Sequence, residues 1–206
     1  MIIQKIGKVD EKLYSSIGGK AKGLDELAKA GFNVPKGFII TDISNINVED
    51  EKTLLKAFKA LKVKQVSVRS SASNEDGASF SAAGQYETCL YVTKDTFIES
   101  VKKCLDSLHN ERAIKYSQTL LDNNKENHMN IVVQEMIDPL YAGVLFTSHP
   151  LNRRHMLLEC VEGIGENLVN GSKESTQFIY TKKGEDHYKN DYSNFNKKEI
   201  RKLVDN

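Results

Sequence analysis

Two hydrophobic periods alternate along this chain. After Gly18-Gly19 the apolar residues Ala21, Leu24, Leu27 and Ala28 fall three and four apart, one face of a helix, and Gly31 stands where a glycine stop belongs. Asn47 can cap a second helix, in which Leu54, Leu55, Phe58 and Leu61 keep the same spacing. Phe97, Val101, Cys104, Leu105 and Leu108 predict a third helix, and residues 111–120 a fourth. Short apolar or alternating runs lie between these, and residues 1–6, 37–40, 65–69 and 87–92 read as strands. Val34-Pro35 breaks the chain before the second of them.

From there the pattern changes to strands, at residues 131–137, 142–147, 156–161 and 177–181. A tight Asp138-Pro139 turn joins the first two. Residues 162–171 read as a glycine-framed turn with a short helix, and residues 197–204 as a last helix. Helices mixed with strands, followed by mostly strands, predict an α+β chain of two lobes. The polar stretch Leu121 to His128 marks the boundary, giving lobes at 1–128 and 129–206.

Composition narrows the class without naming it. The chain has 206 residues, 39% hydrophobic and 28% charged, as a globular domain does. Net charge is +1, so no global field recruits nucleic acid or a membrane, and any phosphate site must be local. No apolar run approaches the length of a membrane span, and the N-terminus lacks a signal-peptide pattern. Cys89, Cys104 and Cys160 are odd in number, far apart in sequence, and match neither a metal spacing nor a disulfide framework, which points to a reducing cytoplasm.

The stretch from Val66 to Thr88 carries the strongest chemical signal. An alternating apolar strand delivers one arginine, Arg69, and a long run of small and hydroxyl residues follows, with Gly77 and Gly84. A phosphate-binding lid wants both parts: a bidentate cation, and a loop whose backbone N–H groups can wrap an anion. The alternative is a strand-end arginine pairing with Glu75 or Asp76. Lys20 follows two glycines at a helix start, where the helix end already favours an anion. Taken alone, Gly-Gly-Lys reads as a solvated lysine after a flexible turn, and it lacks the Walker spacing. Gln134, Glu135, Met136 and Ile137 end an apolar strand and could offer backbone groups to a purine, or form an ordinary hairpin strand. Gly163-Ile164-Gly165 lacks the third glycine of a dinucleotide fingerprint, because Leu168 holds its place. His155 sits in a basic turn with Arg153 and Arg154, and Glu159 with Glu162 makes only a weak metal spacing.

These pieces occur together in one family. The chain resembles the N-terminal ATP-binding domain of phosphoenolpyruvate synthase, pyruvate phosphate dikinase and rifampin phosphotransferase. The resemblance runs through Gly18-Gly19-Lys20 with Leu24, Gly31 through Pro35 with Gly37 and Phe38, and Val66 through Ala72. It continues through Ala78-Ser79-Phe80, Ala83 through Thr88, Val133 through Met136, Ala142 through Thr147, and Pro150. Glu159, Gly163 through Glu166, Val169 and Gly171 complete it. Each motif is weak; their order and spacing are specific.

The resemblance implies an ATP-grasp fold with ATP held in a cleft between two lobes, and ATP and magnesium as cofactors. It implies that Lys20 and Arg69 clamp phosphates, that Gly84 and Thr88 are lid contacts, and that Gln134 to Ile137 form the adenine hinge. The activity implied is cleavage of ATP and phosphorylation of a histidine on a separate swivelling domain. Two departures stand out. The family lid reads Ser-Phe-Ala-Gly-Gln, whereas this chain reads Ser79-Phe80-Ser81-Ala82-Ala83-Gly84-Gln85. Nothing after Gln177 matches the late family segment with the magnesium ligands, so the domain is expected to be C-terminally truncated, without the phosphohistidine and substrate domains. His149 resembles the phosphohistidine signature, but Phe146 to Pro150 aligns with a strand end of the ATP domain itself. The rival readings are a non-catalytic adenine-nucleotide-binding regulatory module and a relic that only folds.

Overall fold

Local rules set the helix ends. In this computed structural model, which describes residues 1–72, 87–107, 129–181 and 186–188, Asn47 caps the helix Val48–Leu61 (α2). Its side chain accepts from the N–H groups of Glu49 and Asp50 at 2.9 Å, and Asp50 accepts in return from the Asn47 N–H at 3.2 Å. The helix Gly18–Lys29 (α1) stops at Gly31, whose φ of +87° suits a residue without Cβ. A third helix, Phe97–Asp106 (α3), follows the expected spacing. The expected helices at 111–120 and 197–204, and the lid residues 73–86 with Gly84, lie outside the described residues.

The chain divides into two compact units, Met1–Ile137 and Asp138–Asn206. In the first, Ile2–Lys5 (β1), Gly37–Thr41 (β2), Val66–Ala72 (β3), Thr88–Val92 (β4) and Met129–Glu135 (β5) form an antiparallel sheet in the order β1-β2-β5-β3-β4. One face is apolar. Phe38, Ile40, Val66, Val68, Ile131 and Val133 meet Leu54 and Phe58 of α2 and Phe97, Val101, Cys104 and Leu105 of α3. Phe97 anchors this layer, edge-on to Phe38 at 6.5 Å and tilted on Phe58 at 5.1 Å. The opposite face carries a smaller cluster in which Ile39 and Val132 meet Ile17 and Ala21. The sheet therefore lies between α2 and α3 on one side and α1 on the other.

The second unit is a meander. Tyr141–Phe146 (β6), His155–Glu162 (β7), Thr176–Thr181 (β8) and Asp186–Tyr188 (β9) pair in chain order, all antiparallel. Leu158, Cys160, Phe178 and Tyr180 form its core, and the short helix Glu166–Val169 (α4) follows β7.

Two expectations need correction. β5 and β6 do not form a hairpin about Asp138-Pro139: β5 pairs with β2 and β3, β6 with β7. The unit division falls after Ile137 rather than after residue 128, because β5 is the middle strand of the first sheet. A buried strand must satisfy both of its hydrogen-bonding edges, and β5 finds both partners there. Cys89 and Cys104, remote in sequence, are also neighbours. Cys89 opposes Val68, and the buried Cys104 thiol donates to the carbonyls of Val68 at 3.6 Å and Glu87 at 3.7 Å. All three cysteines are free thiols. Burial first, and then the neighbouring Cys89, pushes the Cys104 thiol well above its ordinary pKa, and burial pushes Cys160 up to about 11.

Candidate functional site

Directly opposed residues of an antiparallel sheet share a face, and so does every second residue along a strand. Arg69 opposes Val132 on β5 and Thr88 on β4. Ser67 opposes Gln134, and Ser71 opposes Asn130. Ser67, Arg69, Ser71, Thr88, Gln134 and Asn130 therefore lie on the face that bears α1. The same strands give the other face Val66, Val68, Ile131 and Val133. One side of the sheet is thus an apolar core, and the other carries these polar residues beside the Ile39–Val132 cluster under α1, with successive rows about 7 Å apart along the strands. Arg69 and Thr88 are exposed in the middle row, between the buried Ser67 and Ser71.

The N-terminal end of α1 is pinned to this surface. Ile17, at its N-cap, contributes no side-chain cap, and Gly18 takes a φ of +76°. The buried Ser71 hydroxyl ties this end to β3: it donates to the Ile17 carbonyl at 2.8 Å and accepts from the Ala21 N–H at 3.3 Å. Asn130 adds a second tie, its Nδ2 donating to the Ser16 carbonyl at 2.7 Å. Lys20 lies exposed in the first turn of this anchored helix.

Further along α1, Asp25 is fully buried and accepts four hydrogen bonds. The Gly7 N–H lies at 2.6 Å, the Val9 N–H at 3.1 Å and the Tyr14 hydroxyl at 2.7 Å. Lys29 Nζ stands 3.0 Å from the carboxylate and also donates to Tyr14 Oη and the Val9 carbonyl. Burial raises the proton affinity of Asp25, but its hydrogen bonds from Tyr14, Lys29, Val9 and Gly7 outweigh that and hold the carboxyl below its ordinary value. Hydrogen bonds to Tyr14 and Asp25 raise Lys29 above its own. This network fastens α1 to the segment before it.

The end of β5 differs from a strand with unused polar groups. Glu135 N–H donates to the Lys36 carbonyl at 2.7 Å, and Met136 N–H to the Gln65 carbonyl at 3.0 Å. The buried Gln134 reaches the Pro35 carbonyl with its amide at 3.4 Å. Sheet bonding stops there, and Ile137 is half-exposed. The N–H groups of Glu135 and Met136 are thus already used within the sheet.

In the second unit, Glu159 accepts a hydrogen bond from the Gln177 side chain directly across the β7–β8 pair. His149 sits in a turn, where its Nδ1 accepts from the Leu151 N–H at 3.0 Å. Among the described residues no three His, Cys, Asp or Glu side chains gather as a metal site. No helix among them is long and apolar enough to cross a membrane.

The structure thus brings Arg69, Thr88 and Gln134 onto one face, with Lys20 on a helix anchored to that face. Sequence reasoning missed Ser71 and Asn130. The signal was present in the alternation of Ser67, Arg69 and Ser71 against Val66 and Val68, which marks a polar face on a buried strand.

Residues 44–206 match a family described as the pyruvate phosphate dikinase AMP/ATP-binding domain. The chain is 31% identical to a probable phosphoenolpyruvate synthase of Archaeoglobus fulgidus, over 85% of this chain and 30% of that protein. It is 29% identical to a phosphoenolpyruvate synthase of Aeropyrum pernix, over 88% of this chain and 28% of that protein. Similarity to the rifampicin phosphotransferase of Bacillus subtilis is 28%, over 82% of this chain and 25% of that protein. The chain spans less than a third of the length of these relatives.

Proposed function

The chain belongs to the pyruvate phosphate dikinase AMP/ATP-binding domain family, and from that premise we propose that it is the nucleotide-binding part of a phosphotransferase that cleaves ATP and charges a histidine on a separate swivelling domain. In this reading the domain is an ATP-grasp fold of two lobes. The histidine-bearing and substrate domains belong to the further length that the relatives have. The final acceptor is chosen there.

Phosphoryl transfer needs positioning and neutralisation of charge more than covalent help from the protein. Lys20 and Arg69 are assigned to the phosphates. Arg69 offers a planar fork that can hold two phosphate oxygens, and Lys20 adds a point charge at a helix N-terminus. Thr88 and Gly84 are assigned to the lid contacts. Gln134, Glu135, Met136 and Ile137 are assigned to the adenine end, with Gln134 and the N–H groups of Glu135 and Met136 shaping the strand end, and Ile137 and the carbonyls left to face the base. Magnesium, when bound with ATP, would supply further charge neutralisation.

The observation that carries this reading is the common face of Arg69, Thr88 and Gln134, reached by the turn that bears Lys20. A surface built only for packing has no use for an exposed cation between two buried serines. Titration of the chain with magnesium-ATP in a calorimeter, beside Lys20→Ala and Arg69→Ala, tests it. Saturable binding that weakens in both variants is expected. Binding that ignores both substitutions would sink the phosphate assignment. Binding without label transfer to the phosphohistidine domain of the full-length protein would favour a regulatory nucleotide module instead.

A further inference from the structure

We propose that Ser71 is a positioning residue that sets the spacing between Lys20 and Arg69. The inference rests on the reading that these two cations grip the phosphates of a nucleotide. Ser71 acts through the turn that carries Lys20.

One oxygen atom does the joining. Ser71 Oγ donates to the Ile17 carbonyl and accepts from the Ala21 N–H, and these two backbone groups bracket Gly18-Gly19-Lys20 on either side. On its own strand, Ser71 lies two residues beyond Arg69 and on the same face. The hydroxyl is therefore bonded to both ends of the lysine turn while standing on the strand of the arginine.

The local sequence explains why such a tie is needed. Two adjacent glycines make the turn conformationally permissive, and glycine loses more freedom on ordering than any other residue. Ile17 cannot cap the helix with its side chain. Ser71 fastens both ends of this permissive turn to β3, and so fixes Lys20 relative to Arg69 on that strand. The partner must donate to a carbonyl and accept from an N–H at the same point, which a hydroxyl does and an alkyl group cannot. Ser71 is fully buried, so water is poorly placed to replace it. Asn130 extends the tie to β5, donating to the Ser16 carbonyl at 2.7 Å and more weakly to the Ser71 carbonyl at 3.4 Å.

A general loss of packing would weaken every ligand alike, whereas misplacing Lys20 weakens only ligands that carry phosphates. The test compares magnesium-ATP with adenosine by calorimetry on the parent chain, Ser71→Ala and Ser71→Thr, with circular dichroism to establish folding. Ser71→Ala is expected to bind magnesium-ATP about tenfold more weakly, the scale of one buried hydrogen bond left unmade, with adenosine unchanged within twofold. Ser71→Thr, which restores the hydroxyl, is expected to recover most of the ATP affinity. Ser71→Cys keeps a weaker donor at the same point, falls between the two, and replaces the alanine variant if that one does not fold. Unchanged ATP affinity in Ser71→Ala, or equal losses for ATP and adenosine, overturns the positioning role alone. A parent chain that binds adenosine but gains nothing from phosphates overturns the phosphate assignment of Lys20 and Arg69, and the role of Ser71 with it.

Discussion

Arg69 and Thr88 stand directly opposite each other across β3 and β4, an exposed guanidinium and an exposed hydroxyl on one face of the sheet. Eighteen residues, mostly small or polar, separate them along the chain, and strand pairing brings them together.

Arg69→Ala is expected to weaken magnesium-ATP binding by more than tenfold, since a charge-assisted hydrogen bond contributes about 1.5–3 kcal/mol. Its side chain is exposed, so stability should stay within about 0.5 kcal/mol of the parent. Calorimetric affinity and a urea unfolding curve separate the two effects. A large loss of stability would assign Arg69 to the fold instead.

Asp25→Asn is expected to cost about 2–3 kcal/mol, because it leaves Lys29 without its buried partner. The carboxyl binds its proton less readily in the folded protein than in the unfolded chain, so its contribution is complete above the ordinary value of 3.8. It is lost as pH falls through the lower folded value. Lys29 behaves inversely. Its raised pKa gives a contribution complete below 10.5 and lost as pH rises through the folded value. Urea unfolding at stepped acid pH should show a shallower slope for Asp25→Asn than for the parent. Equal slopes would remove Asp25 as the source.

Gly37→Ala should destabilise the first unit severely. A Cβ at that position would strike the Val133 carbonyl, with Gln134 Cγ only 2.9 Å away and Ile6 Cδ1 at 2.8 Å. β2 and β5 pair at this point, so the strands must part to admit a methyl group. Gly23→Ala, where a Cβ meets nothing within 4 Å, is the helical control and should be neutral or stabilising. Thermal unfolding of the two variants should therefore move in opposite directions or differ by several degrees.

His149→Ala should leave nucleotide binding within twofold of the parent, and radiolabel from ATP should not appear at His149. Its Nδ1 already serves the turn by accepting the Leu151 N–H. Recovery of labelled phosphohistidine at this position would make it the carrier.

The parts of this protein legible in the sequence were those decided by neighbours along the chain. Asn47 announces α2 because its side chain bonds groups only two and three residues ahead. Gly31 ends α1 because the left-handed turn needs no distant partner. The motif order carries the family resemblance for the same reason, since each motif is a local backbone solution. The polar character of Arg69 and the apolar character of its flanking valines were also visible as alternation.

What only the tertiary structure decided is which segments meet. The run from Met129 to Glu135 reads equally as the start of a second lobe or the middle of the first sheet. It became the middle strand because β2 and β3 satisfy both of its edges, while α2 and α3 cover one of its faces and α1 packs on the other. Ser71 reads as one small residue among many until α1 lies across β3 and presents two backbone groups to it. Cys89 and Cys104 meet only because α3 packs over the β3–β4 pair. Period and capping act over three or four residues, and a sequence states them directly. Strand order and helix docking depend on the burial of whole faces, and that free energy exists only once the faces have come together.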